Sequence, residues 1–133
     1  MDNKDKKILI VEDDQFLREF YQELLQSEGF IVDVAADGDD ALSKASAGGY
    51  ALILLDIMLP KKDGLQILRD LKISPPREAN GPIVVLTNLG QETIIKQSFA
   101  LGAGGYLIKS ALDPAAVLTE IKSYLQKNDK NNL

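Results

Sequence analysis

The sequence predicts an α/β protein whose open parallel sheet is covered by helices on both faces. Short apolar runs of strand length alternate with one-sided helical patterns along the whole chain. Parallel strands need long crossover connections, and a helix in each connection covers one face of the sheet. We find no repeat, linker or second domain, so we expect a single domain over residues 1–133, with a core at about residues 7–127 and frayed polar termini.

The first part of the chain predicts a strand, a helix, a second strand and a second helix. The run at residues 7–11 forms the first strand, and Gly29 can end the following helix in a left-handed cap. Residues 30–35 form the second strand, in which Asp33 favours an edge position. Asp37 opens a short helix that a glycine pair closes. The apolar side of the first helix comprises Leu17, Phe20, Tyr21, Leu24 and Leu25.

The middle of the chain predicts a strand buried on both faces and a third helix. Residues 51–56 are a continuous apolar run that ends in Asp56. A turn at residues 60–64 leads into the helix, and a polar loop at residues 74–81 with two adjacent prolines ends it. The predicted buried stripe of this helix is Leu65, Ile67, Leu68 and Leu71.

The last part of the chain predicts two more strands and two more helices. Residues 83–87 form a strand, residues 91–101 a helix and residues 106–108 the fifth strand. Asp113 is a suitable N-cap for the last helix, with Pro114 at its first position. The predicted inward stripe of that helix is Val117, Leu118, Ile121, Tyr124 and Leu125.

Composition limits the available chemistry. The chain has no cysteine and no histidine, which excludes disulfides, thiolate or imidazole metal sites and a Ser-His-Asp arrangement. Its net charge is −5, without a basic stripe, so we expect no direct nucleic-acid binding. It lacks the features of a signal peptide and any apolar run long enough to span a membrane. We expect a cytoplasmic protein without membrane insertion.

Polar residues follow four of the predicted strands at the point where each strand ends: Glu12-Asp13, Asp56, Thr87 and Lys109. Parallel strands bring their carboxyl ends to one edge of the sheet, where ligands bind. Crowded carboxylates favour a hard divalent cation such as Mg²⁺. An aspartate nucleophile, a hydroxyl and an ammonium beside that ion meet the needs of phosphoryl transfer.

Each of these residues also has a purely structural role open to it when it is taken singly. Acidic residues before a helix favour its positive end, and Asp14 is a predicted N-cap. Threonine is a common strand residue, and a lysine at a strand end usually extends into solvent. The combination of all five residues, rather than any one of them, indicates phosphoryl transfer.

On these motifs the chain resembles the receiver domain of bacterial two-component response regulators, the CheY-like family, over residue 7 to about residue 127. The resemblance implies a flavodoxin-like, doubly wound sheet in the order 2-1-3-4-5. It implies that Asp56 accepts a phosphoryl group from a histidine kinase or a phosphotransfer protein. It also implies a Mg²⁺ site with Asp13, Asp56 and the backbone carbonyl of Met58 as direct ligands, and with Glu12 acting through water.

The resemblance also implies a switch. Thr87 matches the switch hydroxyl, Lys109 matches the lysine that pairs with phosphoryl oxygens, and Tyr106 matches the switch aromatic residue. Pro60 and Gly64 fit the loop that follows the phosphoacceptor strand. Phosphorylation would change the surface formed by the fourth helix, fifth strand and fifth helix, and this surface would regulate a downstream protein that the sequence does not identify.

The chain departs from the family pattern at several positions. Ser110 follows Lys109 where the family usually has a proline in a cis peptide, and Asn88 stands where a small residue is usual. Met58 and Leu89, two positions after Asp56 and Thr87, cannot orient an attacking water. We therefore expect the phosphorylated form to hydrolyse slowly.

Other classes of protein remain as alternatives. The first is a phosphorylation-independent pseudo-receiver that acts as a binding module. A haloacid dehalogenase-type phosphatase would need a second aspartate where Met58 stands, and a flavodoxin-like nucleotide binder would not place Glu12-Asp13-Asp14 beside a phosphate. We expect no turnover enzyme beyond the protein's own phosphorylation and dephosphorylation. We expect a monomer, either a stand-alone regulator or a piece of a longer protein.

Overall fold

The computed structural model describes residues 5–88, 90–110 and 113–131, and it describes side chains only as far as Lys127. Within these residues strands and helices alternate strictly, as the sequence predicts. The elements are β1 (Lys7–Val11), α1 (Gln15–Ser27), β2 (Ile31–Ala35), α2 (Gly38–Ala47), β3 (Leu52–Asp56), α3 (Gly64–Ile73), β4 (Ile83–Thr87), α4 (Glu92–Ala100), β5 (Gly105–Ile108) and α5 (Pro114–Asn131).

The strands form one parallel sheet in the order β2-β1-β3-β4-β5. The chain moves outward from β1 to β2 and then returns to the other side of β1 at β3. Sheets of this kind have their sites beyond the carboxyl ends of the strands, where the order reverses. The predicted fold class is confirmed, and so is the edge position of β2 that Asp33 favoured.

The sheet is buried on both faces because successive side chains of a strand point to opposite sides. In β3, Ile53 and Leu55 pack with apolar residues of α2, α3 and α4. Leu52 and Leu54, on the other face, pack with apolar residues of α1 and α5. Burial of these two apolar layers provides the main force that holds the helices against the sheet.

Aspartates fix the starts of four helices. The side chains of Asp14, Asp37 and Asp63 accept backbone N–H groups in the first turns of α1, α2 and α3 at 2.9, 2.9 and 3.0 Å. Asp113 accepts an N–H of α5 at 3.1 Å, as the sequence predicts. Gly29 follows α1 with a φ of 94°, the left-handed conformation expected of a glycine cap.

The structure differs from the sequence prediction in several details, and the starts of β2, β3 and β5 each differ by one residue. Helix α4 starts one residue later than predicted, because Gln91 has non-helical backbone angles, and it ends one residue earlier, at Ala100. Helix α5 continues to Asn131, whereas the sequence predicts a frayed tail from Lys127. Each further residue of a formed helix adds one backbone hydrogen bond, and this requires no burial. Three residues of the predicted buried stripes are only half-buried: Leu65, Leu118 and Tyr124.

None of the helices in the described part of the chain is long and apolar enough to cross a membrane.

Candidate functional site

The sheet brings the ends of four strands together. Val11 pairs with Leu55 in the register of β1 and β3, and Thr87 at the end of β4 pairs with Ile108 at the end of β5. The residues that follow these strands therefore lie along one edge of the sheet.

An acidic cluster occupies this edge. Glu12, Asp13 and Asp56 each offer a carboxylate oxygen, and these oxygens all lie within 4.8 Å of one another. Glu12 and Asp56 are buried, with exposed fractions of 0% and 1%, while Asp13 is exposed. The Oε2 atom of Glu12 is buried without a hydrogen-bond partner among the described residues. A buried acceptor in that state is costly unless a proton or a cation satisfies it.

Lys109 neutralises part of this negative charge. Its ammonium lies 3.0 Å from Oδ2 of Asp56 and 3.2 Å from Oε1 of Glu12. The lysine side chain is 16% exposed, so the two ion pairs are poorly screened by water. Burial acts to lower the pKa of Lys109, but the hydrogen bonds and charges of Asp56 and Glu12 outweigh it, and that pKa lies above its usual value.

The pKa of the Glu12 carboxyl is shifted strongly from its usual value. Burial, followed by the charge of Asp56, raises the pKa of Glu12 to about 7, and Lys109 opposes the rise. A carboxyl with this pKa is only partly ionised near neutral pH. A bound cation would favour its charged form.

The loop after β3 is built closely around Asp56. The N–H of Met58 donates to Oδ1 of Asp56 at 3.1 Å, and the N–H of Gly64 donates to the carbonyl of Ile57 at 2.8 Å. A Cβ atom on Gly64 would lie 2.7 Å from the backbone oxygen of Asp56, which is too close. The loop thus needs a glycine at this position to hold Asp56 in place.

Thr87 lies at the neighbouring strand end with a different set of partners. Its side chain is buried, and its hydroxyl lies 2.7 Å from Oε1 of Gln91 and 3.1 Å from the carbonyl of Asn88. Tyr106 is 42% exposed, and its backbone is held by the hydroxyl of Tyr124, which lies 3.3 Å from both the nitrogen and the oxygen of Tyr106. The hydroxyl of Thr87 is therefore directed to the start of α4, and the ring of Tyr106 lies towards solvent.

The structure brings together four of the predicted site residues, Glu12, Asp13, Asp56 and Lys109. Their roles, and those of Thr87, Tyr106 and the Met58 carbonyl, remain predictions. The described residues contain no cis peptide bond, so Ser110 follows Lys109 through a trans bond. Leu89 lies outside the described residues.

Sequence reasoning missed two further residues at this edge. Arg18 of α1 donates to the backbone carbonyls of Glu12 and Asp13 at 3.0 and 3.3 Å. It thereby holds the acidic turn, the segment after β1 that carries these two residues. Gln91 accepts the Thr87 hydroxyl. The spacing of Asn88 and Gln91, a glutamine three residues after a capping-type residue, is a signal that could have indicated a side chain folded back on the preceding turn.

Comparison with known proteins identifies the family. The response regulator receiver domain family matches residues 8–122, and the chain belongs to this family. Receiver domains of response regulators are signalling domains.

Individual relatives agree with this assignment. The chain is 33% identical to transcriptional regulatory protein ResD of Bacillus subtilis over 121 residues, which are 91% of this chain and 48% of ResD. The chain spans about half the length of the curated relatives it matches. The BeF3-activated N-terminal receiver domain of Klebsiella pneumoniae RstA is 35% identical with a TM-score of 0.78, and the match covers 90% of this chain and 98% of that one.

A second solved structure bears on the acidic cluster. The receiver domain of sensor histidine kinase PA1611 from Pseudomonas aeruginosa has a magnesium ion coordinated in its active-site cleft. It is 26% identical to this chain with a TM-score of 0.77, and the match covers 91% of this chain and 98% of that one.

Proposed function

We propose that the protein is a phosphorylation-dependent signalling switch in which Asp56 accepts a phosphoryl group. The donor is a histidine kinase or a phosphotransfer protein, and the reaction takes place in the cytoplasm with Mg²⁺. The observation that carries this proposal is the buried Asp56 carboxylate, which pairs with Lys109 at 3.0 Å inside a three-carboxylate cluster. This arrangement supplies a nucleophile, a cation and a site for a metal at one strand edge.

The residues at this edge fit a magnesium ion. The donor atoms are carboxylate oxygens, which hard cations prefer, and the unpartnered Oε2 of Glu12 is an acceptor in need of a positive charge. Asp13, Asp56 and the backbone carbonyl of Met58 would hold the ion directly, with Glu12 acting through water. When bound, the ion would neutralise charge on the transferred phosphoryl group.

In the transfer step, a carboxylate oxygen of Asp56 attacks the phosphorus atom of the donor. The bond between phosphorus and the donor's imidazole nitrogen breaks, and its electron pair leaves with the imidazole. Lys109 already contacts Asp56, and its ammonium has three N–H donors. It can therefore follow the negative charge from the carboxylate to the phosphoryl oxygens without leaving the site.

The switch step follows from the change of charge at Asp56. A phosphoryl group adds about −1.5 to −2 charge and strong acceptor oxygens. The hydroxyl of Thr87 then turns towards these oxygens, and Tyr106 moves into the space that the hydroxyl leaves. The surface formed by α4, β5 and α5 changes in consequence and regulates a downstream protein. We propose that the protein acts as a monomer.

The decisive experiment is phosphorylation by a small donor. The parent, Asp56→Asn and the control Asp39→Asn, an exposed aspartate of α2, are incubated with phosphoramidate or acetyl phosphate and Mg²⁺. Intact mass should increase by one phosphoryl group in the parent and in Asp39→Asn, but not in Asp56→Asn. An unmodified parent would instead favour a pseudo-receiver that binds its partner without phosphorylation.

A further inference from the structure

The side chain of Gln91 connects the switch hydroxyl to the start of α4. Gln91 is the residue immediately before this helix, and its side chain makes no capping hydrogen bond to α4 itself. Instead, Oε1 of Gln91 accepts the hydroxyl of Thr87 at 2.7 Å and the backbone N–H of Asn88 at 2.8 Å. One amide oxygen therefore holds both the end of β4 and the turn that follows it.

We propose that Gln91 is a positioning residue that holds the Thr87 hydroxyl away from Asp56 in the unphosphorylated protein, so that switching requires the Thr87–Gln91 hydrogen bond to break. This inference rests on the proposed function, because it concerns the same switch. It assigns to Gln91 the control of how readily the phosphorylated state forms.

The hydroxyl of Thr87 has a single proton to donate. It therefore cannot donate fully to Gln91 and to a phosphoryl oxygen at the same time. The carbonyl of Asn88, at 3.1 Å, is a longer and weaker alternative acceptor for that proton. Gln91 thus competes with the phosphoryl group, and the bond it makes with Thr87 favours the resting arrangement.

Burial makes this competition effective. Thr87 is 1% exposed, so water does not readily replace a lost partner of its hydroxyl. Loss of the Gln91 acceptor leaves the hydroxyl without its shortest hydrogen bond and favours any state in which a phosphoryl oxygen replaces that bond. One net hydrogen bond corresponds to a change of about 3- to 10-fold in an equilibrium constant.

The same bond couples the site to α4. When Thr87 leaves Gln91, the amide oxygen keeps only the N–H of Asn88, and the turn between β4 and α4 loses one of its two side-chain ties. Helix α4 belongs to the surface proposed to contact the downstream protein. A change in the position of the Thr87 hydroxyl can therefore alter that surface through Gln91.

The test uses beryllofluoride with Mg²⁺ as the probe, and its affinity is measured by titration with NMR detection of the Thr87 and Tyr106 signals. The parent is compared with Gln91→Ala, with Gln91→Glu, which keeps an acceptor oxygen, and with Gln97→Ala, an exposed glutamine of the same helix. We expect Gln91→Ala to bind the probe about 3- to 10-fold more tightly than the parent. Gln91→Glu and Gln97→Ala should not gain affinity.

Measuring Gln91→Ala in a second protein, Thr87→Val, tests whether Gln91 acts by positioning the Thr87 hydroxyl or only by stabilising the turn between β4 and α4. In Thr87→Val, which lacks the hydroxyl, Gln91→Ala should not change probe affinity further, because its effect acts through that hydroxyl. Melting temperatures are measured for every variant, and Gln91→Leu, which keeps the bulk of the side chain without an acceptor, is used if Gln91→Ala does not fold.

The affinities of these variants distinguish the inference from the proposed function. Equal probe affinity for the parent and Gln91→Ala overturns the inference and leaves the proposed function intact. A gain that persists in the Thr87→Val background also overturns it, because Gln91 would then act through another group. A parent that binds no beryllofluoride and is not phosphorylated overturns the proposed function, and the inference with it.

Discussion

The ammonium of Lys109 lies 3.0 Å from the Asp56 carboxylate, the group proposed to accept the phosphoryl group. The same ammonium lies 3.2 Å from Glu12, so one cation pairs with two buried carboxylates at the ends of two different strands. This relationship joins β5 to β1 and β3 at the edge where the site lies. It makes the charge balance of the site and the stability of the fold depend on the same residue.

Replacement of Lys109 should therefore destabilise the protein in a pH-dependent way. In Lys109→Met, Glu12 and Asp56 are left buried without their counter-charge, and we expect a loss of about 3 kcal/mol in the free energy of unfolding at pH 8. The loss should be smaller at pH 5, where Glu12 takes up a proton. Urea unfolding at both pH values measures this, with Lys96→Met, at an exposed site on α4, as the control. An equal loss at both pH values would show that the charge of Glu12 does not contribute to the loss.

The pKa of Glu12 predicts how the stability of the parent depends on pH. This pKa is raised from 4.5 to about 7 by burial and by the charge of Asp56, against the opposing effect of Lys109. Between these two values the folded protein holds a proton on Glu12 that the unfolded chain has lost. The free energy of unfolding contributed by this group should therefore fall as pH rises from 4.5 through 7.

Urea unfolding at pH values from 5 to 8 without divalent metal tests this prediction. The chain has no histidine, so no imidazole contributes to the slope in this range. Glu12→Gln should flatten the slope, and so should excess Mg²⁺, because a cation favours the ionised carboxylate. A slope that is the same in the parent and in Glu12→Gln would contradict the assignment.

Gly64 should be needed for both stability and phosphorylation. A Cβ atom there would lie 2.7 Å from the backbone oxygen of Asp56 and 2.8 Å from Cα of Ile57, so the backbone that carries Asp56 must shift. We expect Gly64→Ala to lose about 1–3 kcal/mol in the free energy of unfolding. It should also lower the rate of phosphorylation by phosphoramidate, which intact mass measures over time.

The control for this variant is Gly102→Ala. Gly102 has a φ of 104° and open space around it, so alanine there is strained only through its backbone. It should lose about 1 kcal/mol in the free energy of unfolding and keep the parent's phosphorylation rate. A similar drop in rate for both variants would mean that reduced stability, and not displacement of Asp56, causes the effect of Gly64→Ala.

The phosphorylated protein should lose its phosphoryl group slowly. Met58 is 62% exposed, lies two residues after Asp56 and cannot orient a water molecule with its thioether side chain. Met58→Asn supplies an amide and should increase the hydrolysis rate about 5-fold, the equivalent of one hydrogen bond in the transition state. The half-life of the modified mass after removal of the donor measures this, with Met58→Leu as the control. Rapid loss of phosphate from the parent would refute the prediction.

The sequence predicts the three central strands, β1, β3 and β4, well because they are buried on both faces. A strand in that position, such as β3 (Leu52–Asp56), is apolar along almost its whole length, and a short continuous apolar run between turn signals is typical of it. The placement of the polar residues follows from the same fact, since the first polar residue at the end of such a run lies at the edge of the sheet. The order of the strands came from the family resemblance and not from the pattern itself.

The contacts of individual side chains could not be predicted in the same way. The spacing of Asn88 and Gln91 indicates that Gln91 can fold back on the preceding turn. It does not show whether the Thr87 hydroxyl is directed to Gln91 or to Asp56, because either acceptor satisfies one hydrogen bond. The hydrophobic pattern also did not predict where α5 ends. Its last residues are polar on all sides, so they carry no apolar periodicity by which a helix is recognised.

Arg18 approaches the acidic turn through main-chain oxygens and not through carboxylates. Its guanidinium brings a permanent positive charge to the turn that carries Glu12 and Asp13 without occupying their carboxylate oxygens. A cation that binds these carboxylates would therefore leave the guanidinium and its two bonds to main-chain carbonyls in place.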